Sequence, residues 1–276
     1  MDVRPDAPSR GRARMFVFAL LLGFSCGTAA DSLRIGGTGT ALGTMRRLAS
    51  EFTARNPDTV FTIMPSLGSA GGIRALSAGA IDIAVTSRPM TERERELGAV
   101  EFEYARTPLV FAVSANAKVT EVSYGELAAI FLGESATWAD GTPARVVLRP
   151  FGDSDTALVK DISPEIARGL AAAEARPGVR FAVTDQDAAD DLERIPGAIG
   201  PISLAVIVSE NRTLRALKLA GTEPTPMNAA SGAYPHYKRL FLVTRAEPST
   251  TVERFVAFVQ SAAGQTILAS NGQWIP

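Results

Sequence analysis

Cysteine and histidine are almost absent from this sequence, which has one of each, Cys26 and His236. A single cysteine cannot form a disulfide framework within the chain. One cysteine and one histidine are also too few ligands for a typical zinc site. The sequence therefore predicts a protein without disulfides, bound metal or another cofactor.

Apolar runs long enough to span a bilayer are also missing. The first thirty residues combine four arginines with an apolar run at residues 15–24, which is about half the length of a membrane span. Small residues follow, so the pattern predicts a signal peptide over residues 1–30 and a periplasmic mature chain starting near Asp31. The alternatives are a retained anchor or a lipid on Cys26, although the leucine usual before a lipid-attachment cysteine is missing.

A strong excess of positive charge is the third feature that the chain lacks. Removing the predicted signal peptide takes away four arginines and two acids, which leaves 24 basic and 27 acidic residues and a net charge of about −3. Nucleic-acid binding depends on clustered lysines and arginines that neutralise phosphates, and the sequence has no such run. We therefore expect no nucleic-acid partner.

Strand-like and helix-like segments alternate along the rest of the chain, which predicts an α/β fold with largely parallel sheets. Apolar periodicity predicts a helix at residues 41–55, a helix at 124–132, a strand at 199–208 and a last helix at 251–261.

Two long extended apolar segments, at residues 104–113 and 237–244, separate the chain into an outer part and a middle part. A discontinuous lobe explains this order, because the chain would leave the first lobe and later return to it. The sequence predicts a first lobe of residues 31–115 and 230–276 and a second lobe of residues 116–229.

Four loops place glycine, serine or threonine between a predicted strand and a predicted helix, at residues 37–40, 66–72, 86–88 and 149–156. Free N–H groups at a helix N-terminus carry partial positive charge and bind anions. One such loop is typical of an ordinary helix cap. Four such loops, two of them with an arginine, favour a shared oxyanion pocket.

The sequence resembles the substrate-binding proteins of phosphate ABC transporters, within the wider type II periplasmic-binding fold. The resemblance covers essentially the whole mature chain, and its specific segments occur in the family's order. These segments are residues 127–133, 138–141, 196–200, 217–225, 231–235 and 264–267.

The resemblance implies two α/β domains joined by two crossover strands, with phosphate held in the cleft between them and delivered to an ABC transporter permease. It also implies the ligand-binding residues and a monomeric, non-enzymatic protein. By position, the first lobe would contribute Thr38, Gly39, Thr40, Ser69, Ser87 and Arg88, and the second lobe Arg149, Ser154 and Thr156. Arg88 could instead form a surface ion pair.

Two departures from the family pattern concern acids. Many members place an acid directly after the third-loop serine, whereas this chain has Ser87 followed by Arg88. The fourth loop places Asp153 and Asp155 around Ser154, and we hypothesise that one of these acids accepts the proton of hydrogen phosphate. A carboxylate repels a fully ionised anion, so such a site would prefer protonated phosphate to sulfate. Both acids could instead serve as helix-capping residues.

Three rival functions remain open from the sequence. The ligand could be another tetrahedral oxyanion, or the fold could serve a sensory or scaffold role. A secreted hydrolase would use Ser69 or Ser154 as nucleophile and would need His236 within hydrogen-bond reach as its base. The alternative to a catalytic base is that His236, which lies beside a predicted crossover, has only a packing role.

Overall fold

The computed structural model of the chain describes residues 1–2 and 31–276. The predicted signal peptide and Cys26 therefore lie outside the described residues, apart from positions 1 and 2. The strands are β1 Asp31–Gly37, β2 Thr59–Ile63, β3 Ile83–Thr86, β4 Ala99–Ser114, β5 Glu121–Val122, β6 Arg145–Leu148, β7 Arg180–Phe181, β8 Ala198–Ser203, β9 Leu214–Ala216, β10 Lys218–Leu219 and β11 Tyr237–Arg245. The helices are α1 Gly39–Arg55, α2 Gly68–Ser77, α3 Glu92–Arg95, α4 Tyr124–Leu132, α5 Ser154–Lys160, α6 Pro164–Ala175, α7 Asp185–Arg194, α8 Leu204–Ser209, α9 Pro226–Ala230, α10 Thr250–Gln260 and α11 Ala262–Ser270.

The long strand β4 belongs to both halves of the main sheet. Its first part pairs antiparallel with β11, next to β3, β1 and β2. Its last part pairs antiparallel with β8 and β9, and β8 continues through parallel β6 and β7. The predicted two-lobed α/β fold is confirmed, with β4 and β11 lying at the junction. The lobe limits near residues 115 and 230 stay a prediction.

Each half of the sheet buries its own hydrophobic core. The core of the first half joins residues from the beginning and the end of the chain, including Leu33, Phe52 and Phe255, and the Phe52 and Phe255 rings meet edge to face at 5.5 Å. The main core of the second half lies within residues 109–234 and includes Phe111. The cleft between the halves is thus bordered by two separately packed bodies.

Local sequence signals determine several element boundaries. Helix α4 has the predicted bounds, because Ser123 and Glu126 form a capping box at its start and Gly133 adopts the left-handed conformation at its end. The strand predicted at residues 199–208 is wrong in its second part, where the chain forms α8. Both segments are buried, so their continuous apolar character does not distinguish a strand from a short buried helix.

The end of the chain contains more helix than predicted. The helix predicted at residues 251–261 matches α10, and Ser261 then caps a further helix, α11, by accepting a hydrogen bond from the Gly264 N–H. None of the helices in residues 31–276 combines the length and the apolar character of a membrane-spanning segment.

Close packing of α2 on β1 gives a first testable prediction. A Cβ atom at Gly72 would lie 2.7 Å from the Gly37 Cα, and backbone cannot move aside as a flexible side chain can. We expect Gly72→Ala to lower the free energy of unfolding by about 1–3 kcal/mol, the usual cost of overpacking. Urea unfolding followed by circular dichroism measures the change.

The matched control is Gly125→Ala in α4, where a Cβ would meet no atom within 4 Å. We expect this variant to be more stable than wild type by about 0.4–1 kcal/mol, because alanine reduces the conformational entropy of the unfolded chain. Equal stability of the two alanine variants would contradict the packing argument.

Candidate functional site

Three of the four predicted loops meet where β1 and β3 end. These strands are parallel neighbours, so the residues that follow them lie at the same edge of the sheet. The Thr38 hydroxyl donates to Ser87 Oγ at 3.3 Å. Ser69 Oγ lies 3.3 Å from Ser87 Oγ and accepts a hydrogen bond from the Ser87 N–H at 3.1 Å.

The fourth loop reaches the same point from the other lobe. Ser154 Oγ lies 2.9 Å from Ser87 Oγ, so the two lobes touch here through hydroxyl groups. We call Thr38, Ser69, Ser87 and Ser154 the hydroxyl cluster. Each hydroxyl can rotate to donate a hydrogen bond, and four such groups from different directions suit a tetrahedral oxyanion.

The helices α1 and α2 start beside this cluster without a side-chain cap. Thr38 is the N-cap residue of α1 and Leu67 that of α2, and neither side chain accepts a hydrogen bond from its helix. The hydroxyl of Thr38 is bonded to Ser87 instead. Because N–H groups in the first turn of a helix need acceptors, these two helix starts favour an anion in the cleft.

A buried lysine, Lys238 of β11, lies where the lobes meet. Its side chain is 1% exposed and forms ion pairs with Asp155 and, at 3.5 Å, with Asp185. The Lys238 ammonium also donates to Thr40 Oγ1 at 2.7 Å, and the Thr40 hydroxyl donates to Asp185 at 2.8 Å. Lys238 therefore links α1 in the first lobe to α5 and α7 in the second.

Arg149 is the second buried cation. Its side chain is 4% exposed, and its Nη2 lies 3.0 Å from an Asp153 oxygen and 3.8 Å from an Asp185 oxygen. Nη1 donates to the Ala182 carbonyl at 2.8 Å, whereas Nε is buried without a hydrogen-bond partner among the described residues. We call Arg149, Lys238, Asp153, Asp155 and Asp185 the charge cluster. No group of acids, histidines or cysteines in residues 31–276 has the arrangement of a metal site.

Three carboxylates and two cations give the charge cluster an excess of negative charge when all five groups are ionised. Burial, together with Asp153 and Asp185, raises the pKa of Asp155 to about 6, although Lys238 acts in the opposite direction. Burial also opposes ionisation of Asp185, but Lys238 and Arg149 outweigh it and lower that pKa. With its pKa raised while that of Asp185 is lowered, Asp155 rather than Asp185 is the group that takes up a proton as the pH falls through about 6.

The absence of a side chain at Gly39 allows the two lobes to come into close contact. A Cβ atom at this position would lie 2.7 Å from an Asp185 carboxylate oxygen and 2.5 Å from Gln186 Oε1. Gln186 Nε2 donates to the Gly39 carbonyl at 3.1 Å. The start of α1 is therefore in direct contact with the start of α7.

The two acids of the fourth loop have different positions. One Asp153 oxygen caps α5 by accepting the Asp155 N–H at 2.9 Å, and the other accepts from Arg149. Asp155 does not cap the helix, and neither of its oxygens has a hydrogen bond of regular geometry beyond the ion pair with Lys238. Capping therefore accounts for Asp153 but not for Asp155.

Two predicted ligand-binding residues have other partners. Arg88 forms a two-pronged ion pair with Glu94, with both N–O distances at 2.7 Å, so its charge is neutralised within the first lobe. Glu94 is held there by its capping box with Thr91. The Thr156 hydroxyl donates to the carbonyls of Arg149 and Pro150, each at 3.1 Å, and so closes the fourth loop.

Sequence reasoning missed Lys238 and Asp185. Lys238 lies in a segment treated as apolar, but it is in phase with Leu240 and Leu242, which are buried. Alternate residues of a strand share a face, so a lysine in that phase indicates a buried ion pair. Asp185 has only a weak signal, because an acid in the first turn of a helix is common.

His236 is hydrogen-bonded to a tyrosine and to neither of the serines proposed as nucleophiles. Its Nε2 lies 2.9 Å from the Tyr124 hydroxyl, and its ring packs edge to face on Tyr234. Ser69 and Ser154 are both within hydrogen-bond distance of Ser87 instead. Burial also lowers the pKa of His236. The structure therefore assigns His236 to the packing of the crossover, and no Ser–His hydrogen bond forms within residues 31–276.

Similarity to known proteins agrees with this geometry. A family model described as a PBP superfamily domain matches residues 25–263. The phosphate-binding protein PstS of Bacillus subtilis is 26% identical over 259 residues, which is 90% of this chain and 81% of that protein. PstS of Borreliella burgdorferi is 26% identical over 245 residues, or 86% of this chain and 88% of that one.

Solved structures share the fold. A phosphate ABC transporter substrate-binding protein from Clostridium perfringens, with bound phosphate, superimposes with a TM-score of 0.75 at 22% identity and covers 89% of this chain and 100% of its own. An ABC-type phosphate transport receptor from Vibrio cholerae gives 0.62 at 21% identity, with 88% and 100% covered. The matched family model and the two-lobed fold together establish that this chain belongs to the PBP superfamily.

Proposed function

We propose that this chain is an exported solute-binding protein that captures phosphate between its two lobes and delivers it to an ABC transporter. The observation that carries the proposal is the contact between Ser87 of the first lobe and Ser154 of the second, 2.9 Å apart at the centre of the hydroxyl cluster. Relatives over most of the chain are named phosphate-binding proteins, which supports the same ligand.

The ligand would be held mainly by hydroxyl groups and by the two uncapped helix starts. An anion taken out of water needs many aligned donors, because a buried charge without partners is very costly. Arg149 contributes a buried Nε donor that has no partner among the described residues. We propose as the phosphate-binding residues Thr38, Gly39, Thr40, Ser69, Ser87, Arg149, Ser154 and Thr156. Thr40 and Thr156 would act through their helix-start N–H groups, because their hydroxyls donate to Asp185 and to the Arg149 and Pro150 carbonyls. Arg88 is not included.

Asp155 is our candidate for the acid that selects protonated phosphate. It directly follows Ser154 and keeps acceptor capacity, whereas both oxygens of Asp153 are already engaged. An ionised Asp155 would accept the proton of hydrogen phosphate and would repel sulfate, which has no proton to give.

The protein would act by binding alone and would be a monomer outside the cytoplasm. In the part of the chain that the structure describes, His236 bonds Tyr124 and not the serine that a hydrolase would need. Steady phosphatase turnover that is lost in His236→Ala would overturn the non-enzymatic part of this proposal.

The hydroxyl cluster can be tested by calorimetric titration with phosphate, arsenate, sulfate and molybdate. We expect phosphate to bind most tightly among the four. Ser87→Ala and Ser154→Ala should each weaken phosphate binding by roughly tenfold to a hundredfold, since a hydrogen bond to a charged group is worth about 1.5–3 kcal/mol.

Ser77→Ala is the control for these variants, because Ser77 is an exposed serine at the end of α2. It should bind phosphate like wild type. Unchanged phosphate affinity in both Ser87→Ala and Ser154→Ala would remove the hydroxyl cluster as the site.

The role of Asp155 predicts a pH dependence for sulfate, which stays fully ionised in the range of interest. Below pH 6 a protonated Asp155 is neutral, and above pH 6 it is negative and repels the anion. Sulfate affinity of the wild type should therefore fall as the pH rises from 5 to 7. Calorimetry at several pH values should show no such fall for Asp155→Asn, which should also bind sulfate better at pH 7.

Two further variants separate Asp155 from its neighbours. His236→Gln should show the same fall of sulfate affinity with rising pH as the wild type, although His236 lines the same cleft. Asp153→Asn should keep a fall in sulfate affinity with rising pH but move it to lower pH, because the Asp153 charge helps to raise the pKa of Asp155. A pH-independent sulfate affinity in the wild type would refute the assignment of Asp155.

A further inference from the structure

A cavity of about 720 Å³ opens directly beside the hydroxyl cluster. One end is polar and is lined by Ser87, Ser154 and Lys238. The exposed surface of the cavity is more apolar than polar, and its apolar residues include Leu109, Ala157, Leu158, Ile162 and Pro235. Its remaining polar lining is Arg88, Asp153, Asp161, His236, Tyr237 and Arg239. The cavity therefore combines an anion-binding end with an apolar compartment.

The cavity is not the result of separated lobes. Beside it, Ser87 Oγ and Ser154 Oγ are 2.9 Å apart, and Lys238 is in contact with Asp155. The starts of α1 and α7 also touch, through Gly39 and Gln186. With the lobes already in contact, the space remains available to a ligand.

The size of the cavity exceeds the needs of a bare inorganic ion. Pockets of roughly 300–1,000 Å³, lined mostly by apolar side chains with a few polar groups, are typical of sites for organic small molecules. A phosphate ion would occupy only the end formed by the hydroxyls and would leave the apolar wall in contact with water.

Charges around the apolar compartment indicate the kind of organic group that fits. Arg88 is paired with Glu94, and Arg239 is paired with Glu103. Asp153, which is paired with Arg149, and the exposed Asp161 also line the cavity and add negative charge. A second anionic group on the ligand would therefore find repulsion, whereas an uncharged apolar group would find a matching surface.

We propose that this cavity holds the uncharged organic group of a phosphate monoester or phosphonate whose phosphoryl oxygens bind at the hydroxyl cluster. The inference rests on the proposed oxyanion site and extends its ligand class from the free ion to organophosphorus anions. The free ion and the organophosphorus anions share the phosphoryl oxygens that bind the hydroxyl cluster. The organic group would add binding free energy by burying apolar surface.

Calorimetric titration with inorganic phosphate, methyl phosphate, phenyl phosphate and phenylphosphonate tests the proposal on the full mature chain. Phenyl phosphate and phenylphosphonate should bind at least about tenfold tighter than methyl phosphate, because burying a phenylalanine-sized group is worth roughly one to two factors of ten in affinity. Phenylphosphonate binding without phenyl phosphate binding, or the reverse, would show which of the two linkages the site accepts and would support the cavity in either case.

Ala157→Trp is the informative variant, because Ala157 is exposed on α5 and lines the cavity. An indole there should remove the roughly tenfold phenyl advantage that burial predicts and leave the affinity for inorganic phosphate unchanged. Ala171→Trp is the matched control, since Ala171 is an exposed alanine of α6 outside the cavity. Circular dichroism confirms that both variants are folded.

The outcomes separate this inference from the proposed function. If phosphate binds but phenyl phosphate binds no tighter than methyl phosphate, or if Ala157→Trp weakens all ligands equally, only the cavity proposal is overturned. If none of the four compounds binds, both proposals fall. Tight binding of phenyl phosphate without inorganic phosphate would support the cavity and replace the ion as the ligand.

Discussion

Lys238 places a positive charge between two lobes at a point where its side chain is 1% exposed, and three elements of the fold provide its partners. Desolvating an ammonium group costs several kcal/mol, and only close opposite charges and hydrogen bonds offset that cost. Asp155 from α5, Asp185 from α7 and Thr40 from α1 supply them. The mutual position of the lobes in this structure therefore depends on satisfying one lysine.

The same cluster sets the electrostatics of the cleft. Three carboxylates more than compensate Arg149 and Lys238 when all five groups are ionised, so the site presents no free positive charge to an incoming anion. Affinity then depends on neutral donors, namely hydroxyl groups and helix N–H groups, and an acid among them can discriminate between protonated and fully ionised ligands. A cleft built only from arginines would attract every anion and would select poorly among them.

The amino-acid sequence alone predicts much of this architecture. The alternation of segments indicated an α/β fold, and the family-like segments indicated two lobes. The family resemblance predicts Ser87 and Ser154 as ligand-binding residues, and each also belongs to a loop rich in small polar residues after an apolar strand; their role in binding stays a prediction. Arg88 could not be assigned in the same way, because its partner Glu94 is positioned by a capping box that also serves α3. Nor does the continuous apolar run at residues 199–208 reveal that the strand changes to a helix after Ser203.

The sequence by itself determined the class of fold, the four loops and the types of groups that they bring to the cleft, because periodicity, capping residues and glycine positions act over a few residues. Only the tertiary structure decided which charges meet. Lys238 and Asp155 are far apart in the chain, and so are Lys238 and Asp185. Their contact depends on how the sheet strand β11 is placed against the starts of α5 and α7. Pairing between distant charges follows from the packing of whole elements, and no local pattern encodes it.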